Sequence, residues 1–355
     1  MANQITQRAL AKLTGYSYPT INRALAGSTK VLPETRQEIL DAAARLGYSK
    51  NVIAQGLSQR RTFTIGVIEP GVHSYWSIWL AALERQLRAN SYHVIVCHRQ
   101  DHCSGSKEEI AFLLQRRVDG LIVAPQDPYE KAEFFHPVFQ QGIPLLLVDS
   151  FLPALAASFL GTDKGAGTRD ACRYLIGLGH ERIAFVQGIE GYHTSVWQLN
   201  GYRLAMQEAG LTPRPEWLIS AGHFIEEFGE RAADAILACS PRPTAVLAAN
   251  DPLAFGLYKA FRRKQVKIPD DISIIGYAGM PEGDLLSPPL TSVEQPAAAL
   301  GARAGELILT LINEKPVQPV FELLPDKLLI RESCSKAEPA RNLAGKPCPE
   351  ASVVR

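Results

Sequence analysis

"TGYSYPTINRALAG", residues 14–27, has the marks of a turn followed by the second helix of a helix-turn-helix. Gly15 can take the left-handed backbone of the turn. Ser17 offers a hydroxyl to cap a helix whose apolar positions Ile21, Ala24 and Leu25 face inward, and Gly27 stops it. Pro19 lies two residues past the cap, inside the first turn, where backbone N–H groups have no intrahelical partner. The proline is therefore compatible with the helix, and its effect falls on what the helix surface can offer.

Two more helical signals flank this stretch. Thr6 can cap a preceding helix with Ala9, Leu10 and Leu13 as its apolar face. "PETRQEILDAAARLGY", residues 33–48, places Pro33 in a first turn and is expected to bury Ile39, Leu40, Ala43 and Leu46, with Leu32 as a poor cap. Charge is concentrated here. The whole chain of 355 residues carries a net +1, yet up to Arg61 there are nine basic residues against three acidic ones. That head holds +6 and leaves −5 for the remainder, the asymmetry expected when only the head meets phosphates.

From Phe63 the texture changes. Apolar runs ("FTIGVIEP", "HVIVC", "DGLIVAP", "PLLLVD", "RIAFVQG", "TAVLAAN" and "ISIIGY") alternate with amphipathic helical stretches. Such runs between helices predict parallel strands buried on both faces, with ligands bound beyond the strand ends. The expected fold class is α/β: an all-α helix-turn-helix head over residues 1–50, a linker over 51–62 and a parallel-sheet body over 63–333. The tail from Cys334 has three prolines and no heptad, so disorder is expected over 334–355. The start "MANQITQRAL" lacks a signal-peptide core and no run of about 18 apolar residues occurs, which points to a cytoplasmic protein without a membrane partner. The six scattered cysteines are expected reduced there.

Two clusters invite other chemistry. "CHRQDHC", residues 97–103, does not have finger spacing and follows a strand, where neighbouring side chains point to opposite faces; no metal is expected. "GTDKGAGTRDA", residues 161–171, lacks the spacing of a dinucleotide fingerprint and reads as a glycine-softened helix start. No cofactor is implied, and no nucleophile–base arrangement argues for an enzyme.

With these residues in hand, the chain resembles the lactose/galactose/purine repressor family of bacterial transcription regulators, from about Ile5 to Ser333. The head carries "ALAKLTGYSYPTINRAL", "VLPETRQEIL" and "AAARLGYSKN"; the body carries "RRVDGLIV", "IPLLLVDS", "GHERIAFVQG", "AVLAANDPLAFG", "IPDDISIIGY", "LSPPLTSVEQP" and "IRES". The resemblance implies a homodimer on a pseudo-palindromic double-stranded DNA operator. Its body would be two-lobed, similar to periplasmic sugar-binding proteins, with a small effector of the sugar, sugar phosphate or nucleoside class in the cleft. The lobes would span about 63–162 with 296–323, and about 163–292 with 324–333. The tail lacks a leucine repeat, so a dimer rather than a tetramer is expected. The rival reading is a soluble small-molecule-binding protein or enzyme on the same body, in which a +6 head has no role.

Carried over by position, the base-reading residues are Tyr18, Pro19 and Arg23, with Ser17, Thr20, Asn22 and Lys30 on phosphates. Arg23 can fork onto guanine, whereas Pro19 offers only apolar contact such as to a thymine methyl. Thr20 can equally be an ordinary first-turn residue, and Tyr18 a surface aromatic. "NVIAQGLSQ", residues 51–59, matches the family's hinge helix, with Ala54 and Leu57 at its minor-groove positions; the alternative is a flexible linker with Leu57 exposed. Lys50 replaces the family's usual proline, and Gly56 mid-helix costs about 1 kcal/mol against alanine.

For the effector, the resemblance implies Glu69, His73, Tyr75 and Trp76 after the first strand, Phe224 as the stacking aromatic, and Asn250, Asp251 and Gln295 at ligand-facing or lobe-closing positions. Asp149 ends a strand and Asp163 precedes a helix. Two family anchors are replaced: an arginine by Gln198 and an aspartate by Ala278. A ligand clamped by that pair is not expected here, and Glu69 and His73 are candidates to supply its polar contacts. Otherwise Glu69 is a lobe-surface charge, with Tyr75 and Trp76 in the core.

Overall fold

A computed structural model describes residues 5–25, 27–48, 61–71, 73–98, 105–125, 130–314 and 316–337. They fall into two compact units, Met1–Thr62 and Phe63–Arg355.

The first unit contains α1 (Gln7–Thr14), α2 (Tyr18–Leu25) and α3 (Pro33–Arg45). Thr6 Oγ1 accepts from Ala9 N at 3.2 Å, and Gly15 ends α1 with φ +76°. Ser17 Oγ accepts from Thr20 N at 3.3 Å, so the capped start expected for α2 is present with Pro19 inside it. Leu32 makes no side-chain cap bond. Leu10, Ile21, Ala24, Val31, Ile39, Ala42 and Ala43 form the core. Three leucines expected inside are not: Leu13 is 62% exposed, Leu40 40% and Leu46 36%. Leu40 is a quarter-turn from Ile39 on α3, and Leu46 lies beyond its last turn. Helices this short enclose too small a core to cover every apolar residue.

The second unit is built on two six-stranded sheets. Its strands are β1 (Thr64–Glu69), β2 (His93–His98), β3 (Gly120–Val123), β4 (Leu145–Val148), β5 (Ser158–Thr162), β6 (Ile183–Gln187), β7 (Leu218–Ser220), β8 (Ala245–Ala248), β9 (Ser273–Ala278), β10 (Thr291–Glu294), β11 (Phe321–Leu324) and β12 (Lys327–Leu329). Its helices are α4 (Ser74–Ala89), α5 (Lys107–Gln115), α6 (His136–Gln140), α7 (Lys164–Gly177), α8 (His193–Glu208), α9 (Glu226–Ala238), α10 (Asp251–Arg263) and α11 (Ala297–Glu314). Sheet order is β11-β5-β4-β3-β1-β2 in one lobe and β12-β10-β9-β8-β6-β7 in the other. All pairs are parallel except β10–β12. The chain passes between the lobes three times: from β5 into α7, from β10 into α11, and from β11 to β12.

Close helix packing rests on glycine. A Cβ at Gly201 of α8 would lie 2.1 Å from Gly165 O on α7, and one at Gly301 of α11 would lie 2.0 Å from Trp79 O on α4. The end of the chain needs one correction. Residues 334–337, expected disordered, are docked: Ser335 N donates to Ser273 Oγ at 3.1 Å and Ala337 N to Leu178 O at 2.9 Å. The rest of the tail, residues 338–355, and the hinge residues Ala54 and Leu57 with Lys50 and Gly56 lie outside the described residues.

Candidate functional site

The first candidate surface is the outer face of α2. Burying Ile21 and Ala24 turns Tyr18, Pro19, Asn22 and Arg23 outward, in i, i+4 pairs. Tyr18 is 47% exposed, which leaves its ring available. Lys30 is also exposed, in the segment leading to α3. Ser17 and Thr20 are partly engaged already, their hydroxyls 2.8 Å apart at the helix start. At the far end of α2, Ser28 N donates to Arg23 O at 3.0 Å, and Arg36 Nη2 holds Ser28 O at 2.6 Å. These bonds fix the helix that carries the exposed face.

The second is the cleft where strand ends of both sheets meet. His73, Tyr75, Trp76, Asp149, Gln198, Phe224, Asn250, Ala278 and Gln295 all line one cavity of about 120 Å3. Tyr75 and Trp76 are buried and face the cavity as well, so core and lining are one role here. Phe224 lies over the end of β6, where a Cβ on Gly188 would fall 2.2 Å from its ring. Asn250 Nδ2 holds the Phe224 carbonyl at 2.7 Å, and Tyr192 packs edge-on against the ring with centroids 5.4 Å apart.

Gln198, in the arginine's place, donates through Nε2 to Ala249 O at 3.0 Å. Its remaining oxygen is an acceptor where the family pattern has a cation. Ala278, in the aspartate's place, has φ +127° and leads into Gly279 at +69°, a strained turn held by neighbours. The fully buried Asp251 carboxylate accepts from Met280 N and from Ser292 Oγ, each at 2.6 Å, and Ser292 Oγ in turn accepts from Gly279 N at 3.1 Å. Burial pushes the Asp251 carboxyl up to about 6, against the pull of these donors. Gln295 Nε2 reaches Thr162 Oγ1 at 3.1 Å and so ties two of the interlobe passages together.

Glu69 is a correction. It is 2% exposed and absent from the cavity wall. The parallel register sets it beside His98, whose Nδ1 lies 2.5 Å from Glu69 Oε1, while Gly71 N donates to Oε2 at 3.3 Å. The carboxylate is consumed by its neighbouring strand. Asp163 is also outside the lining: it caps α7 by accepting from Ala166 N at 2.9 Å, the glycine-softened helix start expected of that stretch.

The cleft also holds groups that sequence reading did not single out. Lys164, only 6% exposed, donates to Asp149 Oδ1 at 2.7 Å and lies 5.8 Å from the centre of the Tyr277 ring. Tyr277 donates to Asp326 Oδ2, and burial raises both of these groups above their ordinary ranges. Tyr75 is raised for the same reason, with Asp149 and Asp326 adding to it. Thr194, 3% exposed, presents its side chain at the start of α8. The available signal for Lys164 was a cation two residues past a strand end, hidden in a stretch read for its glycines. Among the described residues no cluster of three or more His, Cys, Asp or Glu side chains could hold a metal, and no helix is long and apolar enough to cross a membrane.

Residues 172–334 match the model of a periplasmic binding protein-like domain. Over 330 residues the chain is 31% identical to the HTH-type transcriptional repressor PurR of Histophilus somni (strain 2336), covering 92% of this chain and 98% of that one. A lac repressor dimer bound to operator and the anti-inducer ONPF superposes with a TM-score of 0.80 at 25% identity, covering 94% of this chain and 100% of that one. A LacI family transcriptional regulator from Enterococcus faecium with bound ribose gives 0.69 at 27% identity, over 78% of this chain and 100% of that one.

Proposed function

The chain belongs to the lactose-repressor (LacI) family and is a non-enzymatic, DNA-binding regulator of transcription; on that premise we propose that it represses from a pseudo-palindromic operator as a cytoplasmic homodimer, released or engaged by a small uncharged effector in its cleft. One observation carries the DNA half: Tyr18, Pro19, Asn22 and Arg23 share the solvent face of a capped helix, in a unit whose charge is strongly positive. Arg23 and Tyr18 read base edges, Pro19 contributes apolar contact, and Ser17, Thr20, Asn22 and Lys30 position the helix on phosphates. Residues 51–62 act as the hinge, with Ala54 and Leu57 toward the minor groove.

The effector half rests on charge balance in the cleft. Lys164 lines the cavity and already neutralises Asp149, and among the described residues no arginine lines it. A phosphorylated ligand would find no uncommitted lysine or arginine among the lining residues, whereas hydroxyls match Gln198, Thr194 and the ion pair. The aromatic faces of Phe224 and Tyr192 suit the apolar face of a sugar ring. Neutral sugars therefore fit better than sugar phosphates.

Duplex retention of the full chain tests the first half. It should fall steeply with salt, with a slope near 0.9 per phosphate contact, and binding that survives high salt unchanged contradicts the reading. Thermal-shift measurement against sugars, sugar phosphates and nucleosides tests the second. A neutral sugar should raise the melting temperature by mass action, and a sugar phosphate that does so more strongly contradicts it. Light scattering should report a dimer.

A further inference from the structure

Lys164 and Asp149 sit on different lobes. Lys164 opens α7, immediately after the chain leaves the first sheet, and Asp149 follows β4 with φ +66°, a left-handed backbone that few residues other than glycine adopt. The pair is nearly enclosed, with side-chain exposures of 8% and 20%. Tyr277 lies alongside the ammonium, and Asp326, bonded to the Tyr277 hydroxyl, adds a second carboxyl nearby. Three further contacts bridge the lobes: Tyr192 Oη to Pro125 O at 2.9 Å, Ser74 Oγ to Glu282 Oε2 at 2.7 Å, and the Phe151 and His193 rings with centroids 3.9 Å apart. Of these four contacts, only Lys164–Asp149 joins opposite charges.

A buried ion pair adds little net stability over a well-packed apolar pair, because desolvation offsets the attraction. Its strength lies in geometry. Separating two enclosed charges leaves each without its partner until water arrives, so the closed arrangement is favoured over partly open ones. The two groups belong to separate lobes and stand 2.7 Å apart, a distance that a swing of one lobe away from the other would lengthen.

We propose that the Lys164–Asp149 pair is a clasp supplied by the chain itself, which closes the lobes without a ligand, and that the effector acts by taking over its two partners. Ligand hydroxyls donate to the Asp149 carboxylate and accept from the Lys164 ammonium, so an uncharged ligand satisfies both ends of the opened clasp. This last step rests on the effector reading above; the closure itself does not.

Hydrogen–deuterium exchange on the full chain, with no ligand added, tests the clasp. Lys164→Met and Asp149→Asn should each speed exchange roughly tenfold or more in segments 149–152 and 189–198, while amides of β1, β4 and β6 stay protected. In the double variant the acceleration should be smaller than the product of the two single factors, because the two changes remove the same interaction. Lys164→Arg should stay near the parent. Unchanged exchange in both cleft segments, acceleration spread evenly through the sheets, or factors that simply multiply would overturn the proposal. A sugar screen that fails sinks the effector class and leaves these exchange rates untouched.

Discussion

Asn250 spans two jobs with one amide: its Oδ1 accepts from Leu253 N at 3.0 Å to cap α10, and its Nδ2 holds the Phe224 carbonyl at 2.7 Å. The aromatic that overhangs the cleft is thereby fixed to the helix that begins beside it. Replacing Asn250 with alanine should lower unfolding free energy by about 1 kcal/mol for the lost cap. Ligand response should weaken by more than that loss of stability explains, because Phe224 is released. Denaturant melts paired with ligand titration separate the two effects.

Arg23→Ala should cost roughly 1–3 kcal/mol of discrimination between operator and random duplex. Pro19→Ala should leave the melting temperature near that of the parent and change which half-site is preferred, since the first turn does not need the proline for its fold. Lys30→Ala should weaken all duplexes alike and flatten the salt slope by about 0.9. Competition binding over a randomised half-site checks all three.

The Asp251 carboxyl is raised from 3.8 to about 6 by burial. Between those values the native state holds a proton that the unfolded chain has released. Its contribution to stability is thus full below the ordinary carboxylate range and is lost as pH climbs through about 6. The cost at neutral pH is on the order of 3 kcal/mol. Melts between about pH 4 and 6 should show this slope, and Asp251→Asn should remove it.

His180 runs the other way. Burial lowers its imidazole below 6.5, Arg182 adds to this, and the bond to Ser335 O opposes it. The neutral ring bridges Thr244 Oγ1 at 2.9 Å and Ser335 O at 3.0 Å. This contribution is present above pH 6.5 and is lost as pH falls through the depressed value. Residues 333–337 should therefore lose exchange protection first on acidification, and His180→Gln should blunt that response.

Gly201→Ala should destabilise the second unit by about 1–3 kcal/mol, because its Cβ meets backbone rather than a movable side chain. Ala substitution at Gly177, whose Cβ would meet nothing within 4 Å, is the control and should not destabilise.

The parts legible in the sequence were those governed by local pattern. The seven apolar runs became β1, β2, β3, β4, β6, β8 and β9, and the caps at Thr6 and Ser17 fell where their hydroxyls indicated. β5, β7, β10, β11 and β12 were not read, being short or mixed; β11 "FELL" alternates exposed and half-buried positions because it is an edge strand. Of the positions carried over for the cleft, all but Glu69 and Asp251 share one cavity, since motifs at strand ends are delivered there by the parallel topology.

Glu69 and Lys164 show where local reading stops. The letters of β1 do not say that His98 on β2 will meet Glu69; only register does. Likewise nothing near Lys164 in sequence announces Asp149, fifteen positions earlier, because that contact is made by the tertiary fold and not by local pattern. The leucines at positions 13, 40 and 46 failed for a different reason: periodicity assigns a face, but three short helices have less interior than apolar surface.

The three passages between the lobes have a mechanical corollary. Each lobe is stitched from discontinuous pieces of polypeptide, so no single cut yields two self-sufficient halves, and neither can be grafted onto another protein as one uninterrupted segment. Three tethers side by side also suppress twisting and sliding, leaving rotation about their common line as the soft mode. This topology predicts a swing like that of a door on three pins, and substitutions near the pins should alter the swing without altering what the door encloses.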